Sequence, residues 1–437
     1  MPRHRLTSTI AVCLVLAIVP VSGVVGAAFH GNGQEPGGAA ATPRRVVAVG
    51  DIHGAFDEFV ALLQMTELID SELNWSGGDA VLVQTGDMLD RGAGVRQVLD
   101  LMMRLQRQAP AAGGAVRVAL ANHEEMNVIG EVRDVTSEIM LAFATDDSVK
   151  TRDDAYKEFE SRVLRDESLW GQYNRSQRSK VKSDWIAKHP LGYIEYMRAV
   201  GPGAEYGEWI RSLPLALIVD DVLFMHAGIA PELADWGVKR LNARVAAEIA
   251  AFDAYRQWLL GKKRITSFAN LSELLQGAVR ETRGLDWLEE RRESVGNPPS
   301  LHSDLEAIGG ERLRFQSLFY LNDWFLNAPQ GPLWFRGYDR WDETEGTALA
   351  ADLVAALGVR AVVVGHTVQR TGIRARFGGR VFLIDTGMLT EVYGGMATAL
   401  EIVGDEYTAV RADGGRVSLE SPPPLTPRPA GAVTRGR

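Results

Sequence analysis

Five short apolar runs, each followed directly by a polar loop, constrain the fold of this chain more than any other feature. The runs begin at Arg45, Ala80, Val116, Val222 and Arg360. They have the length and the β-branched composition of buried β-strands. Amphipathic helical stretches follow the first two runs. This alternation of strand, loop and helix predicts an α/β fold.

The loops after these runs carry side chains that can bind metal ions. Three oxygen ligands and three imidazoles are candidates: Asp51, His53, Asp87, Asn122, His226 and His366. Because ligands of such sheets bind at the carboxyl ends of strands, we expect these side chains to converge at one edge. The set offers no thiolate, suits Mn, Fe or Zn, and is large enough for two ions with one shared carboxylate. Two such ions would lower the pKa of a bridging water and neutralise developing negative charge.

Each loop taken alone also has an ordinary structural interpretation, because an aspartate in a Gly-Asp turn commonly closes the turn. The distribution of histidine argues against coincidence. The chain has eight histidines, and four of them follow the strand-like runs directly: His53, His123, His226 and His366. A set of such loops indicates a functional site.

Composition excludes several other classes of protein. The formal net charge of −9 lacks the positive field that nonspecific nucleic-acid binding needs, so we expect no nucleic-acid partner. The single cysteine, Cys13, lies in the apolar N-terminal run. One cysteine is too few for a disulfide framework or a zinc ribbon. Its position in the N-terminal run also excludes a cysteine-nucleophile phosphatase.

The N-terminus has the three parts of an export signal. Arg3 and Arg5 precede a short apolar run, and small residues follow it up to Ala28. We therefore expect residues 1–28 to be a signal peptide, which makes the protein periplasmic or secreted. The alternative is an uncleaved segment that anchors the chain to a membrane.

The remaining chain has 409 residues after this segment, and its composition divides it into three parts. Residues 29–43 are rich in Gly, Ala and Pro and predict a flexible linker. Residues 44–412 predict one large domain, and residues 413–437 a disordered tail. Helical insertions are expected at about 130–210 and 231–335. They either pack beside the sheet as core or form a wall beside the metals that selects the substrate.

The motifs GDIHG, GDMLDRG, NHE, HAG and a late GH together resemble the calcineurin-like metallophosphoesterases. The Asp-Arg-Gly and Asn-His-Glu forms resemble the PPP-type phosphatase branch, and within it the bacterial Shewanella-like phosphatases. The resemblance spans residues 50–367, nearly the whole predicted domain. It implies a β-sandwich flanked by helices, with helical insertions.

The resemblance also implies a role for each motif residue. Asp51 and His53 would bind one metal ion, Asp87 would bridge, and the second ion would take the ligands Asn122, His226 and His366. Three further residues would act on the substrate: His123 as general acid, Asp90 as its partner, and Arg91 as a phosphate clamp. Elementary chemistry agrees, because a guanidinium matches phosphate oxygens and a carboxylate fixes the tautomer of an imidazole.

The sequence departs from the family pattern at several positions. Ala121 replaces the usual glycine before Asn-His-Glu, and we expect it to be tolerated. The second phosphate-binding arginine has no certain match. Arg336, within the aromatic segment 334–338 (WFRGY), is the candidate, and packing against aromatic rings is its equally ranked alternative.

These observations predict a dinuclear metal-dependent phosphatase that hydrolyses phosphate monoesters of proteins or small molecules by attack of metal-bound hydroxide. A nucleotide or dinucleoside-polyphosphate hydrolase with the same site is the first alternative, and a wall of base-stacking aromatic residues would favour it. A non-catalytic binding protein is the second alternative. The six intact ligands argue against that second alternative.

Overall fold

The structure is a computed structural model that describes residues 43–164, 170–281 and 321–424. The predicted signal peptide or anchor at 1–28 lies outside the described residues. So do the predicted linker up to residue 42, residues 282–320 of the second insertion, and residues 425–437. Among the described residues, no helix is both long enough and apolar enough to cross a bilayer.

Within the described residues, eleven strands form two sheets. The strands of the first sheet are β1 (Arg45–Val49), β2 (Val81–Gln84), β3 (Ala115–Val118), β9 (Thr398–Val403), β10 (Glu406–Arg411) and β11 (Arg416–Ser418). Those of the second sheet are β4 (Ala216–Val219), β5 (Val222–Met225), β6 (Ala361–Val364), β7 (Arg374–Arg376) and β8 (Val381–Leu383). Their spatial orders are β11-β10-β9-β1-β2-β3 and β4-β5-β6-β8-β7.

Each sheet contains three adjacent parallel strands, which brings several strand ends to one edge. Strands β1, β2 and β3 run parallel, with Val46 opposite Val81 and Val81 opposite Ala115. Strands β5, β6 and β8 are also parallel. The five apolar runs that the sequence predicts as strands are β1, β2, β3, β5 and β6.

The two sheets pack face to face, and helices cover their outer faces. Alternate residues of β1 show this arrangement, because successive side chains of a strand point to opposite faces. Val46 and Ala48 belong to the core between the sheets, together with Phe224 of β5. Val47 and Val49 belong to the larger core that includes the helices. The architecture confirms the predicted α/β sandwich flanked by helices.

The longer segments between strands are mainly helical. Before β4 lie α1 (Phe56–Met65), α2 (Val95–Gln108), α3 (Asn122–Ile129), α4 (Ser137–Ala142), α5 (Ser148–Arg162), α6 (Arg175–Lys188), α7 (Tyr193–Ala199) and α8 (Glu205–Ser212). After β5 lies α9 (Gly237–Gly261), followed by a helix at 271–281. Three further helices span Gly337–Arg340, Glu343–Leu357 and Thr390–Tyr393. Short 3-10 turns span Ala109–Ala112, Trp170–Gln172, Pro231–Trp236 and Leu321–Asp323.

The insertion helices contribute to the core. The predicted apolar stripe of α9 is buried at Leu241, Val245, Ile249, Phe252 and Leu259. Trp185, Tyr193 and Tyr196, which could have stacked on an aromatic substrate, are each at most 5% exposed. These side chains therefore pack as core beside the sheet and do not form a wall beside the metal site.

The folded part continues beyond residue 412, contrary to the prediction that a disordered tail begins at residue 413. Strand β11 pairs antiparallel with β10, with Val417 opposite Ala409. Val417 is 53% exposed, so β11 buries little apolar surface. Backbone hydrogen bonds of the ladder hold this strand, and composition does not reveal them.

Candidate metal centre and active site

The candidate ligands all follow strands at one edge of the sandwich. Asp51 and His53 come after β1, and Asp87 comes after β2. Asn122 begins α3 directly after β3, while His226 and His366 follow β5 and β6. Each of these six residues is at most 7% exposed. The structure therefore brings together the six side chains that the sequence predicts to converge.

Unusual backbone conformations are concentrated in these loops. Among the described residues, ten non-glycine residues have positive φ, and five of them belong to the site. These are His53, Asp87, Asp90, Arg91 and His366, with φ between 48° and 71°. Such conformations cost free energy and cluster at functional sites. The loops are therefore held in shape by their surroundings.

Close packing explains two of the motif glycines. A Cβ atom at Gly365 would lie 2.2 Å from Asp51 Oδ1. Gly86 has φ of +94°, and a Cβ there would lie 2.3 Å from the Cβ of Ala121. Ala121 itself has φ of −121° and ψ of 176°, an extended conformation open to any residue. Alanine at this position therefore causes no backbone strain.

Asp87 lies between two histidines. Its Oδ2 atom is 3.4 Å from His53 Nε2 and also 3.4 Å from His226 Nε2. Its Oδ1 atom accepts a hydrogen bond from the backbone N–H of His123 at 3.1 Å. One carboxylate oxygen of Asp87 therefore faces two imidazole nitrogens that come from different loops.

Backbone carbonyl groups fix which nitrogen of each imidazole carries the proton. His53 Nδ1–H donates to the Leu89 carbonyl at 2.9 Å, and His226 Nδ1–H donates to the Thr85 carbonyl at 3.1 Å. Because a carbonyl only accepts, both Nε2 atoms keep their lone pairs. Burial lowers the pKa of both histidines well below 6.5. Both rings are therefore neutral at pH 7, the form that binds metals.

The second half of the site gathers three further ligand atoms. His226 Nε2 lies 2.7 Å from Asn122 Oδ1 and 3.0 Å from His366 Nδ1. The nitrogen and the amide oxygen both present lone pairs, so this contact fits a cation bound by both atoms. Asp51 is close by, and its Oδ1 accepts from the backbone N–H of His366 at 3.0 Å.

Several buried carboxyl groups surround these histidines. Burial raises the pKa of Asp51 well above 3.8, and the neighbouring Asp385 and Asp87 raise it further. Burial likewise raises the pKa of Asp385 to about 6 and that of Glu124 to about 7. Buried acids without a counter-charge are costly, and divalent cations would stabilise their ionised forms. The donor set therefore fits metal ions.

A chain of hydrogen bonds leads from His123 into the helical insertion. His123 Nδ1 and Asp90 Oδ2 are 2.5 Å apart. Asp90 Oδ1 accepts from Asn127 Nδ2 at 2.9 Å, and Asn127 Oδ1 accepts from the Tyr196 hydroxyl at 2.6 Å. All four residues are buried. The chain fixes the orientation of the His123 ring, so that its Nε2 atom faces the site.

Arg91 lies at the mouth of the site. Its guanidinium donates to His53 Nε2 at 2.6 Å and lies 3.0 Å from His123 Nε2. It also contacts the hydroxyl of Tyr393, and Asp134 lies 4.0 Å away. Its side chain is 30% exposed, so the cation can reach a ligand that enters from solvent.

Arg336 lies at the same site, beside the loop that follows β6. Its Nη1 atom donates to the His366 carbonyl and to Thr367 Oγ1, both at 3.0 Å. Together with Arg91 it lines a cavity of about 230 Å³ that contains Asp87 and His123. Among the described residues, no aromatic ring lies against its guanidinium. Arg336 therefore lies at the candidate metal site, where its contacts are polar.

Sequence reasoning missed three residues that shape the site. Glu124 accepts from the backbone N–H groups of Asp87 and Met88, both at 2.8 Å, and so clamps the loop after β2. Its place in the Asn-His-Glu motif was the available signal. Asp385 follows β8 in the segment 384–387 (IDTG), a strand-end position like those of the ligands. Tyr393 has no sequence signal, because only the fold brings it to Arg91.

The α/β/β/α fold and this site define a metal-dependent hydrolase of phosphoric esters. A family model described as calcineurin-like phosphoesterase matches residues 44–370, and the chain belongs to this family. Shewanella-like protein phosphatase 2 of Arabidopsis thaliana is 24% identical over 363 residues, which cover 83% of this chain and 76% of that protein. Shewanella-like protein phosphatase 1 of Plasmodium berghei is 31% identical over 124 residues, 28% of this chain and 34% of that protein. These relatives confirm the PPP-type, Shewanella-like resemblance.

Two further similarities complete the comparison. The symmetrical bis(5'-nucleosyl)-tetraphosphatase of Neisseria meningitidis is 23% identical over 378 residues, 84% of this chain and 96% of that protein. The crystal structure of a cold-active protein-tyrosine phosphatase from a psychrophilic Shewanella species superposes with a TM-score of 0.53 at 23% identity. The match covers 86% of this chain and 81% of that one, and it confirms the fold.

Proposed function

We propose that this protein hydrolyses phosphate monoesters, of phosphoproteins or of small molecules, with two bound divalent metal ions. The observation that carries the proposal is the position of Asp87 Oδ2, 3.4 Å from the Nε2 atoms of both His53 and His226. A single metal ion needs no carboxylate placed symmetrically between two neutral imidazoles. A pair of ions does, because the shared carboxylate offsets part of their mutual repulsion.

The ligands divide between the two ions as the family resemblance implies. Asp51, His53 and Asp87 would hold the first ion, and Asp87, Asn122, His226 and His366 would hold the second. Nitrogen and hard oxygen ligands suit Mn, Fe or Zn. When bound, the ions lower the pKa of a water between them and neutralise charge on the phosphoryl oxygens. Asn122 ligates without adding charge, which keeps the site attractive to a phosphate.

The two arginines bind and orient the phosphoryl group. Arg91 and Arg336 line one cavity with the candidate ligands, so their guanidinium groups reach an ester from two sides. Charge-assisted hydrogen bonds from planar guanidinium groups match phosphoryl oxygens. A dianionic phosphoryl group competes with the neutral ring of His53 for Arg91. The arginine therefore turns to the substrate when one binds.

His123 supplies the proton that the leaving oxygen needs. Burial alone would lower the pKa of His123, but Asp87 and the hydrogen-bonded Asp90 raise it above 6.5. The proton on Nδ1 is donated in the hydrogen bond to Asp90, and the proton on Nε2 faces the cavity. Transfer from Nε2 to the departing alkoxide leaves a neutral imidazole, which takes up a proton again from water.

A substrate panel with defined metals tests the proposal. Metal-free protein is loaded separately with Mn²⁺, Fe²⁺ or Zn²⁺ and assayed with phosphotyrosine and phosphoserine peptides, p-nitrophenyl phosphate and diadenosine tetraphosphate. We expect turnover of monoesters with at least one metal, and its loss in Asp87→Asn, which keeps the size of the side chain. Absence of monoester hydrolysis with every metal would contradict the proposal.

The nucleotide alternative receives support from the Neisseria relative, which covers most of both chains. The structure gives it less support, because Trp185, Tyr193 and Tyr196 are buried in the insertion and offer no base-stacking wall. Faster hydrolysis of diadenosine tetraphosphate than of every monoester in the panel would establish this alternative. The non-catalytic alternative is not supported, because the chain belongs to an enzyme family and keeps all six ligands together.

We also propose that the protein acts outside the cytoplasm. The proposal rests on the sequence of residues 1–28, whose basic start, apolar middle and small-residue end are typical of signal peptides. N-terminal sequencing of protein purified from the expressing cells tests it. A new N-terminus near Ala28 in a detergent-free fraction is expected. Recovery of Met1 only in detergent extracts would support the anchor instead.

A further inference from the structure

A second, larger cavity continues from the metal site. It has a volume of about 610 Å³, whereas the cavity at the metal site has about 230 Å³. Four residues line both: Met126, Arg133, Trp334 and Arg336. The two cavities therefore adjoin at these side chains; we refer to them together as the groove, with the candidate phosphate site in its narrow part. Its size lies within the range of about 300–1,000 Å³ that is typical of ligand-binding sites.

The wide part of this groove has an excess of positive charge. Arg133, Arg336 and Arg340 line it, and Glu131 is the one carboxylate among the described residues that do. Arg133 Nη1 lies 3.9 Å from Glu131, and the Arg133 side chain is 59% exposed. The Arg340 side chain is exposed and makes no hydrogen bond or ion pair with any described residue. An excess of positive charge in a groove raises the local concentration of anionic ligands.

Three aromatic residues line the wide part of the groove: Trp334 and Trp341, which are half-buried, and Phe335, which is buried. Phe335 packs edge-to-face on Tyr338 and on Trp341, with ring centroids 5.2 and 5.6 Å apart. Trp341 packs edge-to-face on Tyr338 at 5.4 Å. Phe335 is only 4% exposed. These rings hold one another in place, and this wall of the groove offers apolar surface to the uncharged parts of an extended peptide.

We propose that the wide part of the groove binds carboxylate side chains that flank the phosphorylated residue, so that the preferred substrates are acidic phosphopeptides. The inference rests on the proposed phosphatase function and specifies its substrate class. Several cations along an open groove match acidic side chains spaced along a chain. Arg340 is the clearest specificity residue, because it lines the wide part and not the cavity at the metals.

Paired peptides test this proposal. Two phosphopeptides share the phosphorylated residue and length, but one has glutamates and the other glutamines on both sides. At low ionic strength, we expect wild type to have a higher kcat/KM for the acidic peptide. Arg340→Gln should lower that kcat/KM by about three- to five-fold, mainly through KM, because exposed charge contacts have modest free energies. The glutamine peptide and p-nitrophenyl phosphate should be unaffected.

Charge reversal and a matched control sharpen the test. Arg340→Glu should favour a lysine-flanked peptide over the acidic one. Arg198→Gln removes an exposed arginine of α7 that lines neither cavity, and it should change nothing. Equal hydrolysis of the acidic and glutamine peptides by wild type would overturn the groove proposal and leave the phosphatase function intact. Equal losses of Arg340→Gln on all substrates would also overturn it.

Two other outcomes separate the remaining possibilities. If Arg340→Gln lowers kcat/KM for diadenosine tetraphosphate but not for the acidic peptide, the groove binds a second phosphate and the peptide assignment is wrong. If wild type with metals hydrolyses neither the peptides nor p-nitrophenyl phosphate, the phosphatase proposal itself fails. The preference of wild type for the acidic peptide and the effect of Arg340→Gln therefore test the groove proposal. Hydrolysis of p-nitrophenyl phosphate tests the phosphatase function separately.

Discussion

His123 Nδ1 and Asp90 Oδ2 lie 2.5 Å apart in a buried pair beside Asp87. This contact determines which nitrogen of His123 can give a proton to the substrate, because Nδ1–H is committed to the carboxylate. The Nε2 atom faces the cavity at 3.0 Å from Arg91. The proposed acid catalysis therefore depends on this pair, and replacing either residue tests it.

Replacement of His123 should affect substrates according to their leaving group. A positioned general acid contributes about 10²–10⁴ in rate, and p-nitrophenolate departs readily without a proton. His123→Asn should therefore reduce kcat/KM for a phosphoserine peptide far more than for p-nitrophenyl phosphate. Both substrates are measured at matched metal occupancy. Equal losses on the two would remove His123 from the acid role.

Replacement of Asp90 should shift the pH dependence. Asp90 helps to raise the pKa of His123 above 6.5, and the acid works only while His123 is protonated. Activity on the phosphoserine peptide should therefore fall as the pH rises through the pKa of His123 in the folded protein. Asp90→Asn should move that fall to lower pH. An unchanged pH profile of kcat/KM would show that Asp90 does not hold this proton.

The two arginines should prove functional rather than structural. In the proposed mechanism each contacts the phosphoryl group where negative charge develops, so Arg91→Ala and Arg336→Ala should each lower kcat on the order of 10²-fold. Metal content and melting temperature should stay near those of wild type, as in the remote control Arg198→Ala. If Arg336→Ala mainly lowers the melting temperature, the packing alternative holds for Arg336.

Glu125 should make the stability of the protein depend on pH. Burial raises its pKa to about 8, its Oε1 accepts from Asn327 at 3.0 Å, and its Oε2 has no partner. Since the folded state holds this proton more tightly, the stability from Glu125 is greatest below its unfolded pKa of about 4.3 and is lost as the pH rises towards 8. Glu125→Gln should therefore gain stability relative to wild type over that range.

Urea unfolding at pH 5 and pH 8 measures this difference. We expect the free energy of unfolding of Glu125→Gln, relative to wild type, to be higher at pH 8 than at pH 5. Glu406→Gln removes an exposed carboxylate of β10 and provides the control. A difference that is the same at both pH values would show that Glu125 is ionised in the folded protein.

Local sequence patterns predicted the parts of the fold that local patterns determine. The β-branched runs at Arg45 and Val222 have strand length and end at Gly or His, so both the strands and their functional ends could be read directly. The apolar stripe of α9 was equally clear, from Leu241 to Leu259. Strand β11 could not be predicted, because its exposed residues carry no burial pattern and only pairing with β10 orders them.

The site was predictable where its residues belong to one strand-end loop, and less so where distant segments meet. Asp51 and His53 follow β1 directly. Tyr196, by contrast, reaches Asn127 across 69 positions of the chain, and Tyr393 reaches Arg91 across 302. Such contacts depend on how the helices pack. The sequence could name Arg336 as a candidate, but its contacts with His366 and Thr367 came only from the fold.

Metal stoichiometry tests the central claim most directly. Active protein is dialysed gently, and its bound metal and phosphatase activity are measured on the same sample, alongside Asp87→Asn. We predict two divalent ions per chain in wild type, and weaker binding of both ions in Asp87→Asn, because the shared ligand has lost its charge. Fully active wild type with one ion or none per chain would contradict the dinuclear site.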